Sequence, residues 1–216
     1  MQQQQLPKKH AFIFDMDGVI VDNIDFHITA LKQFMKQFGK EVDEQYFQEH
    51  LNGRTMQEVA LSLKPNASPE EIMKLSEEKE LIYRNLYREH LKPTPGLLPF
   101  LKAAKQANIK MAVATSAITS NVDFTLDGLS IRPYFEAIID STMVNKGKPD
   151  PEIYVKAAEA LQTPVGDCLV FEDALAGIKS AQNARIEVVA LATSLAKEEL
   201  PDSVLMKVKD FSELSV

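Results

Sequence analysis

Short apolar segments recur along the chain, and most are followed by a stretch with helical periodicity. We predict strands at residues 11–14, 110–114, 137–139, 168–171 and 186–191, with a weaker one at 205–208. Helices are predicted at residues 97–107, 151–160 and 174–183. The strand segments are mostly continuous apolar runs rather than alternating ones, which is typical of strands buried on both faces. The pattern therefore predicts an α/β fold, with a Rossmann-like parallel sheet covered by helices.

The region after the first strand has a different pattern. Residues 23–91 show amphipathic helical periodicity and no convincing strand. The last helix there has a strong start signal, because Ser68 is followed by Pro69 and, three residues after the cap, by Glu71. We therefore predict three parts: a disordered polar tail (1–9), a core that contains the sheet (10–22 and 94–216) and an all-helical domain (23–93) inserted after the first strand.

Composition narrows the range of partners. The chain has 216 residues with a formal net charge of −7, which argues against nucleic acid and anionic membranes as partners. No window approaches the roughly 18 apolar residues of a membrane helix, and the first residues lack the apolar core of a signal peptide. The single cysteine, Cys168, cannot form an internal disulfide. We therefore expect a cytoplasmic protein, either a monomer or a weak oligomer.

Polar residues follow several predicted strands at the point where each one ends. Ligands bind at the carboxyl ends of the strands in open parallel sheets. Taken singly, such residues have ordinary explanations, as turn acids, helix caps or a solvated lysine. Together they would bring carboxylates, a hydroxyl and a cation to one edge, which suits phosphoryl transfer. The candidates are Asp15 and Asp17 in Asp-Met-Asp-Gly, Thr115, Lys148 in Lys-Pro-Asp-Pro, and the pair Glu172 and Asp173.

These segments resemble the four motifs of the haloacid dehalogenase superfamily of phosphohydrolases, in its β-phosphoglucomutase-like branch with a small helical cap. The resemblance covers nearly the whole chain after the tail. It implies that Asp15 is a nucleophile that forms an aspartyl phosphate. It also implies that Asp17 is a general acid and then a base, that Thr115 donates a hydrogen bond to the phosphoryl group, and that Lys148 neutralises its charge.

The same resemblance implies a metal cofactor. Asp15, Asp173 and a phosphate would bring negative charge into one small space, and Mg²⁺ is the hard cation that fits such oxygen ligands. By resemblance, Asp15 and Asp173 are side-chain ligands and Asp17 contributes its carbonyl oxygen. Glu172 would act through water or as an orienting acid.

The cap of such relatives closes over the site and contacts the leaving group. By resemblance, the substrate-binding candidates here are His27, Gly53, Arg54 and Lys79. Two of them have a simpler alternative. His27 could be a helix-surface histidine, and Lys79 could lie on a solvated, highly charged helix face.

The resemblance leaves more than one activity open. A mutase needs a second phosphate site, but Arg54 here directly follows Gly53, and the segment from Ser116 to Thr119 lacks the Ser and Asn of the mutases. We therefore expect a Mg²⁺-dependent phosphatase acting on a small phosphorylated metabolite, a sugar phosphate above all, with Ser116 and Thr119 also counted as substrate-binding candidates. A β-phosphoglucomutase is the alternative, in which Arg54 or Thr119 would compensate. A phospho-acceptor signalling module is the more remote alternative, because the receiver domains that perform this function lack the helical insertion.

Overall fold

The computed structural model describes residues 3–51 and 54–216, which divide into two compact units. One unit contains the residues up to Asp22 together with Leu91–Val216. The other is the continuous segment Asn23–His90.

The first unit is built on a parallel sheet. Its six strands lie side by side in the order β4 (Ala137–Ile139), β3 (Lys110–Ala114), β2 (Ala11–Phe14), β5 (Cys168–Glu172), β6 (Glu187–Leu191) and β7 (Met206–Val208). Every pairing is parallel. In the centre, Phe14 is in register with Val113 on one side and Phe171 on the other, so neighbouring strands end at the same edge. The predicted parallel α/β sheet is confirmed. Two further strands, β1 (Gln4–Gln5) and β8 (Leu214–Ser215), form a separate two-stranded sheet.

The predicted disordered tail is wrong for its described part, residues 3–9. Strand β1 pairs in parallel with β8 at the other end of the chain. Leu6 is buried, and the Lys9 ammonium donates to the Gly166 carbonyl at 2.7 Å and lies 2.8 Å from a Glu187 carboxylate oxygen. A polar Gln run carries no periodicity of its own, so its order comes from partners far away in sequence.

The described residues of the second unit form four α-helices, α1 (Ile24–Gln37), α2 (Glu44–His50), α3 (Met56–Leu63) and α4 (Pro69–Tyr87), and a short 3-10 helix at Arg88–His90. The capping box predicted at Ser68 and Glu71 is confirmed, and α3 has another formed by Thr55 and Glu58. These caps satisfy amide groups that the first turn of a helix leaves without partners. A buried cluster of Phe34, Ala60 and Leu75 packs α1, α3 and α4 together, and Phe47 of α2 packs against Met35 and Val59 in a second cluster.

Four more helices belong to the first unit: α5 (Leu97–Gln106), α6 (Thr119–Gly128), α7 (Glu152–Ala160) and α8 (Leu175–Asn183). On one face of the sheet, Ile13 packs in a cluster with residues of α7 and α8. On the other face, Phe14 stacks on Phe171 with ring centroids 4.8 Å apart. Because both faces are packed with buried side chains, the strand ends are rigid supports for a site. None of the helices in the described ranges is long and apolar enough to cross a membrane.

Candidate active site

The turn after β2 carries the first two acids. Asp15 is held at the sheet edge because its amide donates to the Phe171 carbonyl of β5 at 3.0 Å. The chain then reverses tightly, with the Gly18 amide donating to the Val21 carbonyl at 2.7 Å. Gly18 has a φ of +79°, a conformation that glycine adopts without steric cost. Asp17 lies within this turn and is partly exposed.

Lys148 joins two of the acids. Its ammonium lies 3.0 Å from Asp15 Oδ1 and 2.6 Å from Glu172 Oε1, and its side chain is only 8% exposed. It also lies 4.9 Å from the ring centroid of Tyr154, within the range of a cation–π contact. Burial by itself lowers the pKa of Lys148, but the charges of Asp15 and Glu172 outweigh it and hold that pKa well above its usual range. A solvated surface lysine is therefore excluded.

Glu172 is the most firmly held acid of the site. Its Oε1 accepts hydrogen bonds from Lys148 and from the Tyr154 hydroxyl, the latter at 2.9 Å. Its Oε2 accepts from the backbone amides of Asp173 at 2.8 Å and Ala174 at 3.0 Å. Burial favours the neutral acid, but Lys148 and these donors outweigh it and lower the pKa of Glu172. Glu172 is therefore an ionised carboxylate of fixed orientation.

The acids form a set that fits a divalent cation. Asp15, Glu172 and Asp173 each offer a carboxylate oxygen, and these oxygens lie within 4.8 Å of one another. Asp173 Oδ1 is buried and has no hydrogen-bond partner among the described residues. Burial raises the pKa of Asp15 to about 7 against the opposing charge of Lys148, and burial together with the neighbouring carboxylates raises the pKa of Asp173. Hard oxygens with excess negative charge are the donor set of Mg²⁺.

The hydroxyl candidates follow β3. Thr115 is buried, and its Oγ1 accepts from the Ala117 amide at 3.1 Å, which leaves the hydroxyl hydrogen available to donate. Thr119 donates its own hydroxyl to Asp140 Oδ2 at 2.6 Å, and Ser116 is exposed. Thr115 therefore has a hydroxyl hydrogen to donate, and its role toward the phosphoryl group stays a prediction. For Ser116 and Thr119 a role in binding substrate stays a prediction.

Three of the predicted cap residues line one pocket of the helical unit. His27, Arg54 and Lys79 border a cavity of about 150 Å³ whose other walls are apolar. The Lys79 side chain is only 7% exposed, and its ammonium lies 2.9 Å from both His27 Nδ1 and Glu80 Oε1. The alternative of a solvated helix face for Lys79 is therefore wrong. Gly53, the fourth candidate, lies outside the described residues. The apolar walls are Ile24, Ile28, Leu31, Phe47, Leu51, Met56 and Val59.

Comparison with known proteins decides the family. The model of the haloacid dehalogenase-like hydrolase family matches residues 12–191. The chain belongs to this family. It is 34% identical over 189 residues to the β-phosphoglucomutase of Bacillus subtilis, covering 84% of this chain and 82% of that one. It is 33% identical over 183 residues to a phosphorylated carbohydrates phosphatase of Thermotoga maritima, covering 82% of each.

A solved structure agrees with this assignment. The crystal structure of a family IA, variant 3 haloacid dehalogenase hydrolase from Entamoeba histolytica superposes with a TM-score of 0.88 at 30% identity, covering 96% of each chain. The chain also matches one part of a much longer protein, SUPPRESSOR OF QUENCHING 1 of Arabidopsis thaliana, at 30% identity over 94% of this chain and 20% of that one. This haloacid dehalogenase-like hydrolase is thus an enzyme of the phosphohydrolase type.

Several residues of this hydrolase site were missed by the sequence analysis. Tyr154 donates to Glu172 from α7, six residues after Lys148. Gly177 on α8 lets Glu172 approach closely, because a Cβ placed there would lie 1.5 Å from Glu172 Oε1. Ser194 donates its hydroxyl to Asp173 Oδ2, just beyond β6. Ser194 comes shortly after a predicted strand, so the rule that sites form at strand ends could have pointed to it. Tyr154 and Gly177 lie inside helices, where that rule gives no signal.

Gly177→Ala is expected to displace Glu172 and to reduce kcat on the order of 100-fold, because a displacement of about 1 Å in a site has effects of that size. Overpacking costs about 1–3 kcal/mol of the free energy of unfolding, partly offset by the roughly 1 kcal/mol higher helix propensity of alanine. Steady-state kinetics and urea unfolding measure both effects. The matched control is Gly166→Ala, where a Cβ meets nothing within 4 Å. Wild-type kcat in Gly177→Ala would contradict the expectation.

Stabilisation by Mg²⁺ is expected to grow as the pH rises from 5.5 to 8. The pKa of Asp15 is raised from 3.8 to about 7, so in this window the metal-free folded state binds more protons than the unfolded state and loses stability as pH increases. A bound cation needs the deprotonated acids and so reverses this loss. Thermal unfolding in EDTA and in saturating Mg²⁺ at both pH values measures the effect. An Mg²⁺ shift in Tm that is equal at the two pH values, or larger at pH 5.5, would be inconsistent with it.

Proposed function

We propose that this hydrolase is a Mg²⁺-dependent phosphatase of small phosphorylated metabolites, sugar phosphates above all, that acts through an aspartyl phosphate. The observation that carries the proposal is the arrangement around Lys148. One buried cation pairs with Asp15, at 3.0 Å, and with Glu172, at 2.6 Å, while Asp173 lies beside them with a buried oxygen available. Such a site can attack phosphorus and balance the charge of a phosphoryl group.

In the first chemical step, an ionised Asp15 oxygen forms a bond to phosphorus while the bond from phosphorus to the leaving oxygen breaks. Asp17 gives its proton to that leaving oxygen. In the second step, a water oxygen attacks the phosphorus, Asp17 takes the proton of the water, and the bond from Asp15 to phosphorus breaks. Inorganic phosphate is released, and both acids return to their starting states.

The remaining groups neutralise negative charge and orient the reacting groups. Lys148 stays protonated and neutralises both Asp15 and the phosphoryl oxygens, and Thr115 has a hydroxyl hydrogen to donate to them. Glu172 holds Lys148 in place. Bound Mg²⁺ supplies further positive charge for the phosphoryl group, with the side chains of Asp15 and Asp173, the Asp17 carbonyl and Glu172 as the residues that would hold it.

A hydrogen bond in the segment that follows Thr115 favours the phosphatase over the mutase. A mutase must bind a second phosphate, and Thr119 is one of the residues that would have to supply it. The Thr119 hydroxyl already donates to buried Asp140, at 2.6 Å. The similarity to a named mutase and to a named phosphatase is almost equal, at 34% and 33% identity, and so favours neither.

The pocket in the helical unit supports a sugar-like leaving group. Its apolar walls can pack against carbon, while His27, Arg54 and Lys79 offer polar groups that can bind hydroxyls. We propose that these three residues select the substrate.

Phosphorus NMR tests the proposal directly. The purified protein is given Mg²⁺, β-glucose 1-phosphate and a trace of glucose 1,6-bisphosphate, and inorganic phosphate and glucose 6-phosphate are followed together. Inorganic phosphate as the main product, lost in EDTA, is the expected result. Glucose 6-phosphate without inorganic phosphate would make the protein a mutase. If neither forms, a panel of other phosphate monoesters follows, and no phosphate release from any of them would overturn the proposal.

A further inference from the structure

Thr193 and Ser194, two hydroxyl residues just beyond β6, contact the candidate active site. Neither residue belongs to the four motifs identified in the sequence. Thr193 Oγ1 donates to the Gly18 carbonyl at 2.6 Å, and Ser194 Oγ donates to Asp173 Oδ2. Both residues are half-buried. Their two acceptors belong to different parts of the site, the turn after β2 and the acid pair after β5. Thr193 and Ser194 therefore connect the turn after β2 and the acid pair after β5 to the end of β6.

The segment that carries these hydroxyls is itself anchored. Just before it, the Ala192 amide donates to the Val208 carbonyl of β7 at 2.8 Å. Just after it, Leu195 packs against the buried cluster on the α7 and α8 face of the sheet. Anchors on both sides reduce the freedom of the two hydroxyls, so their hydrogen bonds act from a fixed base.

The contact at Asp173 determines which oxygen is available. Oδ2 is held by Ser194 and lies against Gly18, where an added Cβ would be only 1.9 Å away. Oδ1 is buried and has no hydrogen-bond partner among the described residues. The hydrogen bond to Oδ2 and the close approach of Gly18 together restrict rotation of the carboxylate, and this restricts the direction of Oδ1 as well.

We propose that Thr193 and Ser194 are positioning residues for the cation site: Ser194 locks Asp173 so that Oδ1 is presented to the metal, and Thr193 braces the Gly18 turn against which Asp173 rests. The inference rests on the proposed function, because it assigns these residues to the Mg²⁺ that the proposed phosphatase uses. Hydrogen-bonding partners of metal ligands orient those ligands, and removing such a partner typically lowers metal affinity by roughly 10- to 100-fold.

Calorimetric titration of the 216-residue protein with Mg²⁺ tests the inference without relying on turnover. Ser194→Ala is expected to weaken Mg²⁺ binding by roughly 10- to 100-fold, and Ser194→Thr, which keeps the hydroxyl, is expected to restore most of it. Ser203→Ala is the matched control, because Ser203 is an exposed serine whose hydroxyl accepts a hydrogen bond from Gln182. In kinetics, Ser194→Ala should raise the Mg²⁺ concentration needed for half-maximal rate, with KM for the phosphate ester changing little at saturating Mg²⁺.

The outcomes separate this inference from the proposed function. Wild-type Mg²⁺ affinity in Ser194→Ala would overturn the inference alone, because the metal would still bind. Equal losses in Ser194→Ala and Ser194→Thr would also overturn it, because packing at residue 194 rather than the hydroxyl would then matter. No Mg²⁺ binding by the wild type would overturn the proposed cofactor and the inference with it. Thr193→Val provides a second variant: it keeps the side-chain shape, and unchanged Mg²⁺ affinity and kcat would remove Thr193 from the pair.

Discussion

Asp15→Asn is expected to reduce turnover of phosphate monoesters by at least about 1,000-fold, because loss of a nucleophile removes the route on which the other groups act. The asparagine amide has nearly the same shape as the carboxylate, but it carries no charge and does not attack phosphorus. Lys148, Glu172 and Asp173 remain, yet they stabilise a reaction that has lost its attacking atom. Phosphate release under saturating Mg²⁺ measures the loss.

The fold of the Asp15→Asn variant should survive. Burial makes the charge of Asp15 unfavourable, as the raised pKa of about 7 shows, so a neutral replacement should leave stability equal or higher above pH 7. Thermal unfolding in EDTA checks this. Asp22→Asn is the matched control, an exposed acid at the end of the same turn, and it should retain turnover. Full activity in Asp15→Asn, with mass spectrometry excluding deamidation back to aspartate, would rule out the mechanism.

The chemistry of the core could be predicted because it depends on local pattern and on one rule of topology. Strands buried on both faces are near-continuous apolar runs, so β2 and β5 are visible in the sequence. Parallel strands have their carboxyl ends at one edge, so the residues after them share a place even when the chain separates them widely. Asp15 and Glu172 are brought together in this way, and Lys148 lies between them.

Most of the functional and structural features that were not predicted have no hydrophobic pattern or strand-end position that would reveal them. Ser194 is the exception. The Gln4 and Gln5 pairing has no hydrophobic periodicity, because main-chain hydrogen bonds to β8 create it. Tyr154 reads as an ordinary core residue on α7, and only the structure shows its hydroxyl on Glu172. Ser194, by contrast, follows the strand next to β5 and could have been found by extending the same rule to one more strand end.

The burial of Lys79 shows the limit of judging a helix by its charge. The segment around it is highly charged, which indicated a solvated face. Yet Leu75, Lys79, Tyr83 and Tyr87 are spaced four residues apart and are all buried. That spacing places them on one side of α4. The position of Lys79 within a buried stripe of α4 therefore indicates its environment better than the charges of its sequence neighbours do.

Lys148→Met is expected to reduce both stability and activity. Removing one partner of a buried ion pair leaves uncompensated charge and typically costs about 3–5 kcal/mol. In metal-free protein at pH 8, Asp15 and Glu172 would lose the cation that lies within 3.0 Å of both. The cost should be smaller at pH 5.5, where Asp15 is protonated and no longer needs a counter-charge. We expect kcat to fall by roughly 100-fold or more, because a charge that stabilises the transferring group is lost.

Lys146→Met is the matched control for this prediction. Lys146 lies two residues earlier on the same loop, its side chain is 75% exposed, and its ammonium is 3.8 Å from an Asp150 oxygen. Exposed pairs of this kind contribute about 0–1 kcal/mol, so this control should unfold at nearly the wild-type urea concentration and retain kcat. Urea unfolding in EDTA at pH 5.5 and 8 separates the electrostatic cost from lost packing, since lost packing would be independent of pH. Equal destabilisation of Lys148→Met at the two pH values would show that its charge does not balance Asp15.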